Sequence, residues 1–195
     1  GDDAASFELV GTLLKLKNSV SADYETQSTY SVVVTATDAG GLSMSQTVTI
    51  VVTDTNESAS ITLSNITVVE NAAGGSIGTI TVSDPDLGDS YTLSLSGTDA
   101  ASFEISGSVL KLKDSVSADY ETRNSYVVII TATDTGGLST SQTFTVWVTN
   151  VNDAPTDLAL SANSIVENAT GATVGTLSTT EVDAGDRVTY SVSGT

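Results

Sequence analysis

Tyr30-Ser31-Val32-Val33-Val34-Thr35-Ala36-Thr37-Asp38-Ala39-Gly40-Gly41 decides the fold. The alternation has a period of two. It puts Tyr30, Val32, Val34 and Ala36 on one face of a strand and Ser31, Val33 and Thr35 on the other. Gly40-Gly41 marks a turn. On the returning strand Val48, Ile50 and Val52 point inward, with Thr47, Thr49 and Val51 outward. Val and Thr abound, as pleated surfaces prefer. No stretch carries a helical stripe longer than a turn or two.

The same stretch returns. Thr37-Asp38-Ala39-Gly40-Gly41 recurs as Thr133-Asp134-Thr135-Gly136-Gly137, at an offset of 96. Asp23-Tyr24-Glu25 recurs as Asp119-Tyr120-Glu121, and Gly1-Asp2-Asp3-Ala4-Ala5-Ser6-Phe7-Glu8 as Gly97-Thr98-Asp99-Ala100-Ala101-Ser102-Phe103-Glu104. Residues 97–153 therefore repeat residues 1–57. So long a period means a string of whole domains, not a solenoid of small units. Strands are expected near 61–69, 76–83, 90–95, 102–106, 108–113, 125–133 and 142–149, about seven, the number of a β-sandwich. The expected fold class is all-β, a tandem array of sandwiches. Residues 58–153 make a complete repeat. Residues 1–57 are the C-terminal part of one, with four strands, and 154–195 the N-terminal part of another, with three. Thr189-Tyr190-Ser191-Val192-Ser193-Gly194-Thr195 matches Thr92-Leu93-Ser94-Leu95-Ser96-Gly97-Thr98, so the chain stops where its own beginning picks up. Either it is an interior piece of a longer array, or the last strands of one chain complete the first strands of the next and build a filament.

Composition narrows the function. Six Lys+Arg stand against 24 Asp+Glu, a net charge of −18 over 195 residues. That disfavours nucleic acid and anionic membrane, which need a basic face, and favours cations. Only 15% of residues are charged and 39% are hydrophobic, so this is a folded chain and not an acidic tail. It has no Cys and no His. Disulfides, thiolate chemistry, the usual zinc sites and His-based acid–base catalysis are excluded. With no phosphate loop and no nucleophile–base pair, an enzyme is not expected. No run of 18 apolar residues exists to insert into a bilayer.

Acidic residues fall at the same few loop positions in each repeat. Asp54-Thr55-Asn56-Glu57 and Asn150-Val151-Asn152-Asp153 stand at the expected joints. Val69-Glu70-Asn71 and Val166-Glu167-Asn168 follow. Asp84-Pro85-Asp86-Leu87-Gly88-Asp89 and Glu181-Val182-Asp183-Ala184-Gly185-Asp186 come next. With Asp-Tyr-Glu and Ala-Thr-Asp-x-Gly-Gly, five short motifs recur in one order. The whole chain thereby resembles the cadherin repeat family, in the form of a bacterial cadherin-like tandem repeat from a large extracellular adhesin or filament protein.

The resemblance implies a seven-strand Greek-key sandwich, with calcium, an oxygen-seeking ion, held between successive repeats at about three ions per joint. Carried over by position, the first joint would use Asp23, Glu25, Asp54, Asn56, Glu57, Asp84, Asp86 and Asp134. The second would use Glu70, Asp119, Glu121, Asn150, Asn152, Asp153, Glu181 and Asp183. Asp38 would serve a joint before this segment and Glu167 one after it. Two departures stand out. Ser58 and Ala154 replace an Asn of the family linker. Asn150 and Glu181 replace the Asp found at the first joint, so the second is expected to hold fewer ions or hold them more weakly.

The chemistry also reads without the family. Calcium takes six to eight oxygens in irregular geometry, and Asp, Glu and Asn supply them. Close-set carboxylates repel one another, and divalent ions cancel most of that charge. Magnesium fits worse, because it demands tight octahedral geometry. Asp89 and Asp186 are read as turn residues, and Glu8 and Glu104 as outward strand positions. Trp147 is expected to face outward beside Val127 and Ile129, where a sugar ring or a neighbouring domain could stack. The expected role is a calcium-stiffened extracellular spacer or adhesion array. The alternatives are polysaccharide binding through the Trp147 face and self-assembly with other copies of the chain.

Overall fold

The computed structural model describes residues 1–194. Two four-stranded sheets hold the strands between residues 60 and 149. One sheet orders β5 (Ser60–Leu63), β7 (Ser76–Ser83), β10 (Val109–Leu112) and β9 (Phe103–Ser106). The other orders β6 (Thr67–Val69), β12 (Ser139–Thr149), β11 (Ser125–Thr133) and β8 (Thr92–Ser96). Before them come β1 (Phe7–Val10) with β2 (Leu13–Leu16), and β3 (Thr29–Thr37) with β4 (Ser43–Val51). After them comes β13 (Thr156–Leu160) with β14 (Leu177–Thr180). The only helical turns among the described residues are 3-10 turns at Ala4–Ser6 and Ala100–Ser102. The architecture is the expected all-β Greek-key sandwich.

The strand expected over 61–69 is two strands, one in each sheet. The chain crosses between sheets at Ser64-Asn65-Ile66, and Asn65 fixes the crossing. Its Nδ2 donates to the carbonyls of Thr67 (3.0 Å) and Ile77 (2.8 Å), and its Oδ1 accepts from the Thr67 hydroxyl. Gly78 permits the approach, since a Cβ there would stand 2.7 Å from the Asn65 backbone nitrogen. The device recurs 97 residues on, where a Cβ at Gly175 would stand 2.8 Å from the backbone of Ala162. After the crossing, β6 runs parallel to β12, with Val68 opposite Val148 and Thr67 opposite Trp147.

The third strand expected near the C-terminus does not form over the described residues 189–194. Its counterpart β8 hydrogen-bonds to β11, whereas 189–194 pairs with no strand among the described residues. Thr195 lies outside the described residues.

The chain forms two compact units. The first comprises Gly1–Ile61, Val82–Leu93 and Thr131–Ser141. Within it β3 and β4 pair antiparallel over nine residues, from Thr29↔Val51 to Thr37↔Ser43. Tyr30 and Val32 are buried as the alternation demands, but Val34 is only half-buried and Ala36 is exposed. Phe7 meets Tyr30 edge-on at 5.4 Å. The β1–β2 ladder pairs Glu8 with Lys15, an outward cross-strand ion pair at 2.9 Å.

The second unit comprises Thr62–Thr81, Ser94–Ile130 and Gln142–Thr195. It carries most of the core: Val68, Ile77, Ile80, Phe103, Leu110, Leu112, Val128, Ile130, Val146 and Val148 are all buried. Leu110, Leu112, Val128, Ile130 and Val146 are the largest fully buried side chains. Truncating such a leucine costs about 2–5 kcal/mol. Beside this core Asp99 is buried. It accepts the Val127 N–H (2.7 Å) and pairs with the Arg123 guanidinium, which lies 4.4 Å above the Tyr126 ring. Tyr126 in turn meets Phe103 edge-on at 5.8 Å. These contacts hold the carboxyl of Asp99 below its usual range, Arg123 being the main cause. Trp147 is 51% exposed on the outward face of β12, and Val127 is exposed too.

Candidate metal centres

Each unit carries one acidic set. In the first, Glu25, Asp54, Glu57 and Asp86 each offer a carboxylate oxygen, and the four oxygens lie within 4.8 Å of one another. Asp84, Asp89 and Asp134 form a second such group. Backbone hydrogen bonds hold them. The Glu57 N–H donates to Asp86 Oδ2 (2.8 Å), the Asp86 N–H to Asp84 Oδ1 (3.0 Å) and the Leu138 N–H to Asp134 Oδ1 (2.9 Å). The Asn56 amide donates to Asp134 Oδ2 (2.9 Å). The Asp-x-Asp turn closes at Gly88, whose φ of +97° suits glycine, and Gly185 at +100° repeats it.

These donors do not reach every oxygen. Glu57 Oε2, Asp84 Oδ2 and Asp89 Oδ2 are shut from solvent with no hydrogen-bond donor. A buried anionic oxygen without a partner is costly. All three belong to this first set, and a divalent cation would satisfy them. Burial pushes the Glu57 carboxyl above its ordinary range, and the charges of Glu25, Asp86 and Asp54 add to the rise. Burial also raises the Tyr91 hydroxyl, with Asp84, Asp89 and Asp134 contributing. Asp134 is lowered instead, chiefly by the Asn56 amide. Asp23 stands apart. It is tied to Thr26 N–H and hydroxyl at 3.0 Å each, which lowers its carboxyl, and it lines a cleft of about 520 Å³ with Glu25 and Glu57.

In the second unit Glu70, Asp119 and Glu121 converge, and so do Glu181, Asp183 and Asp186. Glu70 is 2% exposed and accepts the N–H groups of Tyr120 and Val151, both at 2.6 Å. The Asp153 N–H donates to Asp183 Oδ2 (2.6 Å), and the Asp183 N–H to Glu181 Oε1 (3.1 Å). The Asn71 amide, on a backbone at φ 62°, donates to Asp153 Oδ1 (2.9 Å). Where the first set has Asp54, this one has Asn150, whose amide donates to Glu121 Oε1 (2.9 Å). A carboxylate is thereby replaced by a neutral donor. The Asn152 amide turns to the Asp153 carbonyl (3.0 Å). Burial raises the Glu121 carboxyl, with Glu70, Asp183 and Asp153 adding to it. Glu121, Asn150, Asn152, Asp183 and Asp186 line an open cleft of about 560 Å³.

Asp38 accepts the Leu42 N–H (2.9 Å) within its turn, and Glu167 is exposed; neither joins an acidic group among the described residues. Asp89 and Asp186, read from sequence as turn residues, do join such groups. Their signal was the common offset: Asp84, Asp86 and Asp89 recur as Glu181, Asp183 and Asp186 at one spacing of 97.

Residues 64–149 match the family model of the cadherin domain. That segment belongs to the cadherin domain family. Among solved structures, the protocadherin gammaB7 EC3-6 cis-dimer is 29% identical with a TM-score of 0.60, covering 94% of this chain and 47% of that one. The protocadherin gammaB4 extracellular domain is 28% identical with a TM-score of 0.60, covering 92% and 30%. Domains 1-4 of protocadherin gamma B7 align at 22% identity with a TM-score of 0.62, covering 88% and 44%, a likeness of fold alone. This chain thus spans less than half the length of these relatives. Cadherin domains are extracellular adhesion modules, generally calcium-binding and not enzymatic. No helix among the described residues is long and apolar enough to cross a membrane.

Proposed function

We propose that this chain is part of a calcium-stiffened extracellular adhesion array, with cations held where consecutive repeats meet. The carrying observation is the trio of buried carboxylate oxygens without donors, Glu57 Oε2, Asp84 Oδ2 and Asp89 Oδ2. With repeat boundaries after residues 57 and 153, as the 96-residue offset suggests, one acidic set would stand at each joint. Carboxylates drawn from both sides of a joint repel until divalent ions cancel their charge, and the ions then tie the two sides together. Glu25, Asp54, Glu57 and Asp86 would hold one ion group, with Asp84, Asp134 and Asn56 beside them. Glu70, Asp119, Glu121, Glu181 and Asp183 would do the same at the second joint. The neutral Asn150 makes that joint the weaker of the two.

Calcium-titration calorimetry and small-angle scattering test this together. Calcium is expected to bind in at least two classes of site and to narrow the spread of dimensions, which chelator broadens again. A chain that takes up no calcium, or scatters identically in chelator, overturns the proposal. A second reading, self-association, is supported by the exposed inward residues of β3–β4, Ala36 and Met44. The same scattering reports mass, and a monomer at every concentration removes that reading.

A further inference from the structure

We infer that Asp89, and Asp186 at the same place in the following repeat, are calcium ligands and not turn residues alone. The inference rests on the calcium reading and extends it to residues outside the family's motif. Four observations carry it. Asp89 brings an oxygen to within 4.8 Å of oxygens from Asp84 and Asp134. Its Oδ2 is buried without a donor, as is Oδ2 of Asp84 in the same group. Its other oxygen receives only a long contact, 3.4 Å, from the Thr135 hydroxyl. A turn-forming Asp instead spends its carboxylate on nearby backbone N–H groups, as Asp134 does on Leu138. Finally, a related group recurs: the exposed Asp186 joins Glu181 and Asp183, where Asp89 joins Asp84 and Asp134.

Gly88 and Gly185 explain how the residue reaches the site. Their positive φ turns the loop one residue beyond the Asp84-x-Asp86 and Glu181-x-Asp183 pairs, just before Asp89 and Asp186. The next side chain therefore meets the ones before it. A further carboxylate raises the local negative charge, and ligand charge count is one of the quantities that sets calcium affinity.

Asn separates the two roles, because it forms turns as well as Asp does but carries no charge. The whole chain is titrated with calcium by calorimetry as the parent, Asp89→Asn, Asp84→Asn and Asp186→Asn. Terbium luminescence sensitised through Tyr91 gives a second readout, with Tyr91→Phe marking the signal from that site. A direct ligand matters at least as much as an outer-shell partner, so Asp89→Asn should weaken one class of sites at least about tenfold. It should also dim the Tyr91-dependent emission and leave melting in chelator no lower than the parent's. Asp186→Asn should weaken the other class. If Asp84→Asn loses affinity while Asp89→Asn and Asp186→Asn bind as the parent does, the inference is wrong and the calcium reading survives. If the parent itself binds no calcium, both fall.

Discussion

Glu57 shows at the scale of one residue what the acidic sets cost the fold. Its Oε2 is buried without a donor, and burial followed by Glu25, Asp86 and Asp54 pushes its carboxyl above the usual range. A folded pKa above the unfolded one means the charged form is penalised in the fold. That penalty is complete at neutral pH, shrinks as pH falls through the raised value, and is gone below the unfolded value of 4.5. Glu57→Gln should therefore raise the melting temperature in chelator at pH 7 and lower it in calcium. In chelator, the parent's melting temperature should rise as the pH falls from about 7 into the range where the raised carboxyl takes up its proton, and the substitution should flatten that rise. Thermal melts at two pH values, with and without calcium, decide it; a loss of stability in both buffers would contradict it. Much of this site was legible in the sequence. Glu25, Asp54, Glu57, Asp84, Asp86 and Asp134 were picked out by motif order, and all of them fall in acidic groups. Asp89 and Asp186 were read as turn residues because Gly-Asp after an acidic pair is good turn chemistry by itself, and the structure brings both into acidic groups. Only packing distinguishes a turn former from a ligand.

Among the elements, alternation found most strands and misjudged two. It did not resolve the crossing at Ser64-Asn65-Ile66, although the inward positions change phase there, from Ile61 and Leu63 to Val68. The ladder breaks at the same place, and the crossing is held by an amide and a missing Cβ. Gly78→Ala places a methyl 2.7 Å from the Asn65 nitrogen and 2.8 Å from its carbonyl oxygen. Overpacking of this kind costs on the order of 1–3 kcal/mol. The substitution should lower the urea midpoint with the slope unchanged, in calcium and in chelator alike. A midpoint equal to the parent's would mean the crossing can open without cost. The third strand expected near the C-terminus does not form over the described residues 189–194, although Thr189-Tyr190-Ser191-Val192-Ser193 alternates well. Strand propensity alone does not make a strand.

For the whole molecule, the repeat length and the all-β class could be read from the offset of 96 and the period of two. The distribution of core could not. Tyr126, Val128, Ile130 and Ala132 are all buried, whereas of their counterparts only Tyr30 and Val32 are. The difference follows from cover. β9 and β10 belong to a four-stranded sheet with β7 and β5, while their counterparts β1 and β2 form a two-stranded sheet among the described residues. The two hairpins have almost the same letters and hydroxyl rungs: Thr35 meets Ser45 as Thr131 meets Ser141, at 2.7 and 2.8 Å. Their amides should nonetheless part company in deuterated buffer. Hydrogen exchange opens the least supported structure first, so β3 and β4 should take up label well ahead of β11 and β12, even with calcium saturating. Equal uptake would show that the ladder itself, and not what lies behind it, sets the lifetime of a strand here.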